Sequence, residues 1–140
     1  MKKYFLISLS ALTLVLFSSI SLNAQQNAPI NDINEVIINP TMPIINIVFA
    51  INALNTITIQ GAEVDTFLEA KGILEKEINR CAELKKKTNE TTTFSIKIGK
   101  AQHILDFLKR AKLTGNDAVL YKGFVNSFVE ASKKANPNNK

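Results

Sequence analysis

The sequence predicts an all-α fold, a small up-down helical bundle made of three amphipathic helices and one buried N-terminal helix. Apolar residues recur at three- and four-residue steps in three segments, which is the spacing of one helix face. A run that is apolar on nearly every side precedes these segments, as expected for a buried element. Short connections between the segments favour antiparallel neighbours.

Residues 1–24 are predicted to be a cleaved signal peptide. Lys2 and Lys3 form a positive start, an apolar run of about 14 residues follows, and small and polar residues lead up to Ala24. This order is typical of a secretory signal peptide, with cleavage expected after Ala24 or, as second choice, after Ser21. An uncleaved anchor is the alternative, but the run is shorter than the ~20 residues that span a bilayer. We therefore expect an exported bacterial protein, either periplasmic or secreted.

Residues 25–42 are predicted to form an extended lead-in. The segment is rich in Asn, contains Pro29 and Pro40, and carries few charges. Within it, residues 36–38 could pair as a short strand or cover part of the core.

The helical bundle domain is predicted over residues 43–135 and opens with a buried helix at about 44–55. Pro43 is tolerated in the first turn of a helix, and the run after it is mostly apolar. The β-branched residues of this run also permit a strand, so the state of residues 44–59 stays open between helix, which we predict, and strand.

Three amphipathic helices follow, at residues 62–87, 94–113 and about 116–134. Acidic residues fill the first half of the first of these helices and basic residues close it, which complements the helix dipole. A polar turn is predicted at residues 88–93. A disordered tail is predicted at residues 136–140, because Pro137 stops the helix from continuing.

Composition excludes several classes of protein. A chain of 140 residues has the length of one domain. Its single cysteine rules out an intramolecular disulfide and a cysteine-based zinc site. The formal net charge is +5 and is unevenly distributed, because residues 61–84 carry a net −3 and residues 85–140 a net +8.

Basic side chains form the first candidate binding site. If the helices alternate in direction, seven lysines gather at one end of the bundle. Such a cluster attracts an anionic partner, for example lipid headgroups, a surface polymer or an acidic protein face, in an interaction that salt weakens. The candidate residues are Lys85, Lys86, Lys87, Lys97, Lys100, Lys133 and Lys134.

Four phenylalanines offer an alternative site. Phe67, Phe107, Phe124 and Phe128 recur at helical positions, where they could line a pocket for a small apolar or amphipathic ligand between helices. The simpler interpretation is that these rings fill the core, because a chain of this size needs the buried area.

The chemistry-bearing residues predict no catalytic site, no metal site and no cofactor. His103 and Asp106 share one predicted helix face, but no nucleophile is placed beside them. Cys81 falls on an apolar helix stripe, so we expect a buried, inert and unpaired thiol. Nucleic acid is not an expected partner, because exposed aromatic residues are not interleaved with the lysines.

The sequence thus predicts an exported, non-enzymatic interaction module that binds a protein or an anionic envelope component, without a transmembrane span in the mature chain. A carrier of a small apolar or amphipathic ligand, held between the phenylalanine-bearing helices, is the alternative.

Overall fold

The structure, a computed structural model, describes residues 32–135. The predicted signal peptide at 1–24, the first part of the predicted lead-in at 25–31 and the predicted tail at 136–140 lie outside the described residues.

Four helices and four short strands follow a 3₁₀ turn at Ile33–Glu35. In chain order these elements are β1 (Ile37–Ile38), β2 (Thr41–Pro43), α1 (Ile44–Leu54), α2 (Val64–Glu83), β3 (Thr91–Thr93), β4 (Ile96–Lys97), α3 (Ile98–Leu108) and α4 (Asp117–Ala135). A second 3₁₀ turn, Gly61–Glu63, leads into α2. The predicted all-α class is therefore wrong: the protein is mostly helical, but the described residues also form two small antiparallel sheets.

The two sheets share one register and act as a single antiparallel ribbon. Ile38 pairs with Ile96 in β1–β4, and Met42 pairs with Thr92 in β2–β3, so each step forward along the first strand matches one step back along the second throughout both sheets. Between the sheets, the Phe94 N–H donates to the Pro40 carbonyl at 3.4 Å. We call residues 36–44 and 90–98 together the ribbon, because the same register continues through hydrogen bonds at both ends.

Alternation along the ribbon explains why it forms. Ile38, Met42 and Ile96 point inward and are at most 5% exposed. Their neighbours point to solvent, where the hydroxyls of Thr41 and Thr93 lie 2.8 Å apart. Successive side chains of a strand face opposite sides, so this pattern of one apolar and one polar face suits a two-stranded ribbon packed on a core.

The ribbon also explains why the observed helix boundaries differ from the predicted ones. The predicted polar turn at 88–93 ends in strand β3, and α3 begins at Ile98, not at Phe94, because residues 94–97 belong to the ribbon. Helix α2 ends at Glu83, four residues before its predicted end, because Lys85 adopts a left-handed φ of 54°. The Lys86 N–H then donates to the Cys81 carbonyl at 3.0 Å, which closes the helix end.

The core lies between the four helices and the inner face of the ribbon. The segment at 44–54 is the predicted buried helix, with Ile47 and Leu54 fully buried. Helix α1 packs against both α2 and α4, and α4 also packs along β1 and β2. None of the helices within residues 32–135 has both the length and the apolar character needed to cross a membrane.

Candidate functional site

A buried carboxylate joins α2 to the ribbon. Glu77 is 5% exposed, and its two oxygens accept hydrogen bonds from Nε of Arg80 at 2.8 Å and from Nη2 of Arg80 at 2.6 Å. The hydroxyl of Thr92 on β3 donates to the same carboxylate at 2.5 Å. Nη2 of Arg80 also donates to the Thr93 carbonyl at 3.1 Å. We call Glu77, Arg80 and Thr92 the latch, because together they bind the helix to the strand.

The latch keeps its carboxylate charged. Burial by itself raises the pKa of Glu77, but the hydrogen bonds from Arg80 and Thr92 outweigh burial, and the pKa lies below its ordinary value. A charge that is both paired and hydrogen-bonded can be buried without a large penalty.

Cys81 lies one turn after the latch carboxylate. Its thiol is buried and free, as expected from the apolar stripe, and Sγ lies 3.5 Å from Oε1 of Glu77. A thiol in this position is part of the helix–ribbon contact and is shielded from reagents.

Beside the latch, α2 and the ribbon form the two walls of an open groove with a volume of about 910 Å³. One wall is α2 from Gly72 to Glu83, and the other is formed by residues 93–95 together with Asn39. Ile73 and Phe94 supply apolar surface, and the remaining lining is polar or charged.

The strand at 90–98 presents an open edge to this groove. Its even-numbered residues bond to the first strand of the ribbon, as Phe94 does to Pro40 and Ile98 to Val36. Since successive residues direct their backbone groups to opposite edges, Thr93 and Ser95 direct theirs outward. The Thr93 carbonyl on this edge is bound by Arg80. Ser95 lines the groove, and its side chain donates to Asn39 on the same wall at 2.7 Å. Its backbone N–H and C=O have no hydrogen-bond partner among the described residues and are left for another polypeptide.

Gly72 widens the groove. A Cβ atom placed on Gly72 would meet no other atom within 4 Å, so the space above it is empty. Two other helix glycines are explained by packing: a Cβ at Gly99 would lie 3.0 Å from Cβ of Asn34, and one at Gly123 would lie 2.7 Å from Nδ2 of Asn46. Packing thus gives a reason for glycine at those two positions and gives no such reason at Gly72.

The rim of the groove carries two charges without an ion-pair partner among residues 32–135. Glu77 pairs with Arg80 in the latch, and Glu75 pairs with Lys71 at 3.3 Å. Lys76 and Glu83 line the groove but form none of the ion pairs of the described chain. They lie seven residues apart on α2, hence on the same face and about 10 Å apart along the axis.

No protein-family model, curated protein or solved structure matches this chain.

The structure distributes the candidate lysines over different parts of the molecule. Nζ of Lys86 donates to the Thr91 carbonyl at 3.0 Å, which puts residues 85–87 at the Thr91 end of the ribbon. Lys97 and Lys100 lie at the opposite end, about 20 Å away along the strand. They pair with Glu35 at 2.5 Å and with Glu69 at 2.6 Å, respectively. Lys133 and Lys134 are exposed in the last turn of α4.

The candidate phenylalanines form two separate aromatic contacts. Phe124 and Phe128 are at most 2% exposed, with ring centroids 4.9 Å apart. Phe67 and Phe107 meet edge to face at 5.3 Å. These rings pack on each other, in keeping with a core role. Of the four, Phe107 alone lines either the groove beside α2 or the smaller depression beside His103.

His103 and Asp106 lie at a smaller depression of about 390 Å³ between α3 and the start of α2. Asp106 accepts from Nζ of Lys109 at 2.8 Å and from Nε2 of Gln102 at 2.8 Å. The Lys109 hydrogen bond holds the pKa of Asp106 below its ordinary value, despite partial burial. Within residues 32–135, no three His, Cys, Asp or Glu side chains lie close enough to hold a metal ion.

Sequence reasoning did not find the groove or the latch. Glu77 is one of six acidic residues in the predicted helix at residues 62–87. Its spacing from Leu74 and Cys81, three and four residues away, puts it on the same helix face, but an ionised carboxylate by itself predicts exposure. The available signal was the run Thr91-Thr92-Thr93, which is β-branched throughout and therefore favours a strand.

Proposed function

We propose that this chain is an exported, non-enzymatic interaction module that binds a partner protein in the groove between α2 and the ribbon. The observation that carries the proposal is the open strand edge at Ser95, facing a groove that the chain's own side chains leave unfilled. An exposed edge of this kind pairs with other polypeptides. The signal-peptide pattern of residues 1–24 supports export.

The charges favour a protein over an anionic surface. Two of the candidate lysines are neutralised by Glu35 and Glu69, and residues 85–87 lie about two Debye lengths from them at physiological ionic strength. The groove itself carries both signs of charge, together with the apolar surface of Ile73 and Phe94. Mixed surfaces of this kind are usual in protein interfaces.

Export is tested by expressing the full-length chain in a bacterium and measuring the mass of the product in each cell fraction. We expect product outside the cytoplasm that begins at Gln25. A cytoplasmic product of uncleaved mass would contradict export and would leave the groove proposal standing.

Partner binding is tested by photo-cross-linking in envelope extract. The residue p-benzoylphenylalanine replaces Lys76 in the groove or, as the matched control, the exposed Lys122 on α4. We expect a discrete protein adduct from position 76 only, and we expect Gly72→Trp to abolish it by filling the groove. Gly115→Trp is the second control, because a side chain at Gly115 also meets no atom within 4 Å and Gly115 does not line the groove.

Three results would overturn this function. The first is an adduct that persists in Gly72→Trp, and the second is the absence of an adduct at position 76. The third is salt-sensitive binding to anionic phosphatidylglycerol vesicles that Gly72→Trp retains and Lys133→Gln/Lys134→Gln loses, which would identify an anionic surface as the partner.

A further inference from the structure

We infer that the groove takes its partner as an extended segment that pairs with the backbone of Ser95 and passes over Gly72. This inference rests on the proposed function and adds the conformation and the charge pattern of the partner.

The strand edge selects an extended backbone. Ser95 directs its N–H and C=O into the groove, and a partner strand satisfies both with one pair of antiparallel or parallel bonds. A helical segment has no free backbone groups to offer there, because its own turns use them. Arg80 already binds the neighbouring Thr93 carbonyl, so the pairing is centred on Ser95.

On the opposite wall, Gly72 leaves room for the backbone of the partner because it has no side chain. Glycine in a helix interior destabilises the helix by about 0.5–1 kcal/mol relative to alanine. Its φ is not positive, and no packed neighbour within 4 Å requires it. Close approach of a second backbone is a physical reason for glycine in a helix wall, and Ser95 on the facing wall offers the hydrogen bonds for such a backbone.

The length of the groove sets the length of the segment. From Gly72 to Glu83, α2 rises about 16 Å. An extended chain covers that distance with about five residues. The groove is therefore suited to a short linear segment of a partner.

The two unpaired charges on the rim of the groove determine which charged residues we expect in that segment. Lys76 lacks an acidic partner, and Glu83 lacks a basic one, among the described residues. Side chains on one face of a strand recur at every second position. We expect one acidic and one basic residue on one face of the segment, two or four positions apart, because these same-face spacings of about 7 and 13 Å bracket the about 10 Å between Lys76 and Glu83.

The probe is a phage-displayed library of random ten-residue peptides, selected against the full-length chain. We expect enriched peptides to bind Gly72→Trp at least 10-fold more weakly than wild type or Gly115→Trp. Methylating the amide nitrogens of a selected peptide one at a time should weaken binding about 10-fold at the one or two positions that pair with Ser95. Methylation at the neighbouring positions should have little effect.

Charge reversal tests the pattern independently of the backbone. The double variant Lys76→Glu/Glu83→Lys should bind a selected peptide at least 10-fold more weakly. Exchanging the acidic and basic residues of that peptide should restore binding. The matched control, Lys122→Glu/Glu130→Lys on exposed positions of α4, should change nothing.

Several outcomes would overturn the inference. The inference is wrong if the library yields no binder, or if the selected peptides bind Gly72→Trp as well as they bind wild type. It is also wrong if amide methylation does not weaken binding, or if exchanging the charged residues of a peptide does not restore its binding to the double variant. A concentration-dependent dimer that Gly72→Trp abolishes would also overturn it and would identify a second copy of this chain as the occupant. If the cross-link at position 76 is found while methylation has no effect, the proposed function stands and the extended conformation is wrong.

Discussion

Among single residues, the helix glycines differ in what surrounds them. Gly123 lies against Asn46, which is 6% exposed and has little room to move, whereas Gly72 faces open space. The same substitution should therefore have opposite effects at the two positions.

We expect Gly72→Ala to raise the free energy of unfolding by about 0.5–1 kcal/mol, because alanine loses less backbone entropy in a helix. Gly123→Ala should lower it by about 1 kcal/mol, because the clash with Nδ2 of Asn46 outweighs the gain in helix propensity. Urea unfolding followed by circular dichroism measures both. A Gly72→Ala protein that is less stable than wild type would show that the empty space is needed by the fold.

The latch makes stability depend on pH through Glu77. Its pKa in the folded protein is lowered, so the folded state binds this proton less readily than the unfolded chain does. The stabilisation is therefore fully present above the ordinary pKa of 4.5 and is lost as the pH falls through the lowered folded value.

We expect Glu77→Gln to lower the free energy of unfolding at pH 7 by about 1.5–3 kcal/mol, the range for hydrogen bonds to a charged group. The difference from wild type should shrink as the pH falls from 4.5 through the lowered folded value, because the unfolded wild-type chain takes up a proton in this range before the folded protein does. Urea titrations at a series of pH values measure this difference. Glu75→Gln, at an exposed position on the same helix, is the control and should leave the pH profile nearly unchanged.

At the scale of elements, the ribbon makes part of the predicted lead-in integral to the folded unit. Ile38 and Ile37 are neighbours of the same type, 1% and 58% exposed, respectively. They face opposite sides of β1, so the same substitution at the two positions distinguishes the effect of burial from the effect of residue type.

Ile38→Ala should lower the free energy of unfolding by about 2–5 kcal/mol, as large-to-small changes in a core do. Ile37→Ala should change it by no more than about 0.5 kcal/mol. Denaturant unfolding of the two variants measures both values. Equal, small effects would show that β1 does not belong to the stable core.

The helices could be predicted because their information is local. The apolar spacing of α2 and α4 is visible within any window of two turns. Of the ribbon, the sequence indicated only that residues 36–38 could pair as a short strand. The pairing itself could not be predicted, because the strands are two or three residues long and their partners lie far along the chain, as Asn39 and Ser95 do at 56 positions apart. Alternation at residues 38, 40 and 42 was a signal, but so short a run also fits a loop.

The candidate site depends on the arrangement of the whole molecule. Its walls come from a helix and from a strand that the sequence predicts to be a turn and the start of a helix. Ser95 in particular has an ordinary side chain, and the pairing proposed for it depends on the direction of its backbone N–H and C=O. Export and partner binding remain predictions that the experiments above decide.

The shielding of Cys81 likewise depends on the whole fold. Cys81 is 2% exposed and lies between α2 and the ribbon, so a reagent reaches it only when these elements separate. We expect labelling by an aromatic disulfide reagent to be at least about 100-fold slower in the native protein than in urea, which corresponds to an opening free energy of about 2.8 kcal/mol. Equally fast labelling in both conditions, or a disulfide-linked dimer on a non-reducing gel, would contradict this.

The ribbon also constrains when the chain can fold. Its first strand is synthesised before α1 and α2, and its second strand follows them. At 5–20 residues per second, the 56 positions between Asn39 and Ser95 take roughly 3–11 s to synthesise. During that delay, Ile38 and Met42 have no pairing strand. A polypeptide that emerges in this order cannot complete the ribbon until residue 98 has been made, so Ile38 and Met42 reach their buried positions only after α1 and α2 have been synthesised.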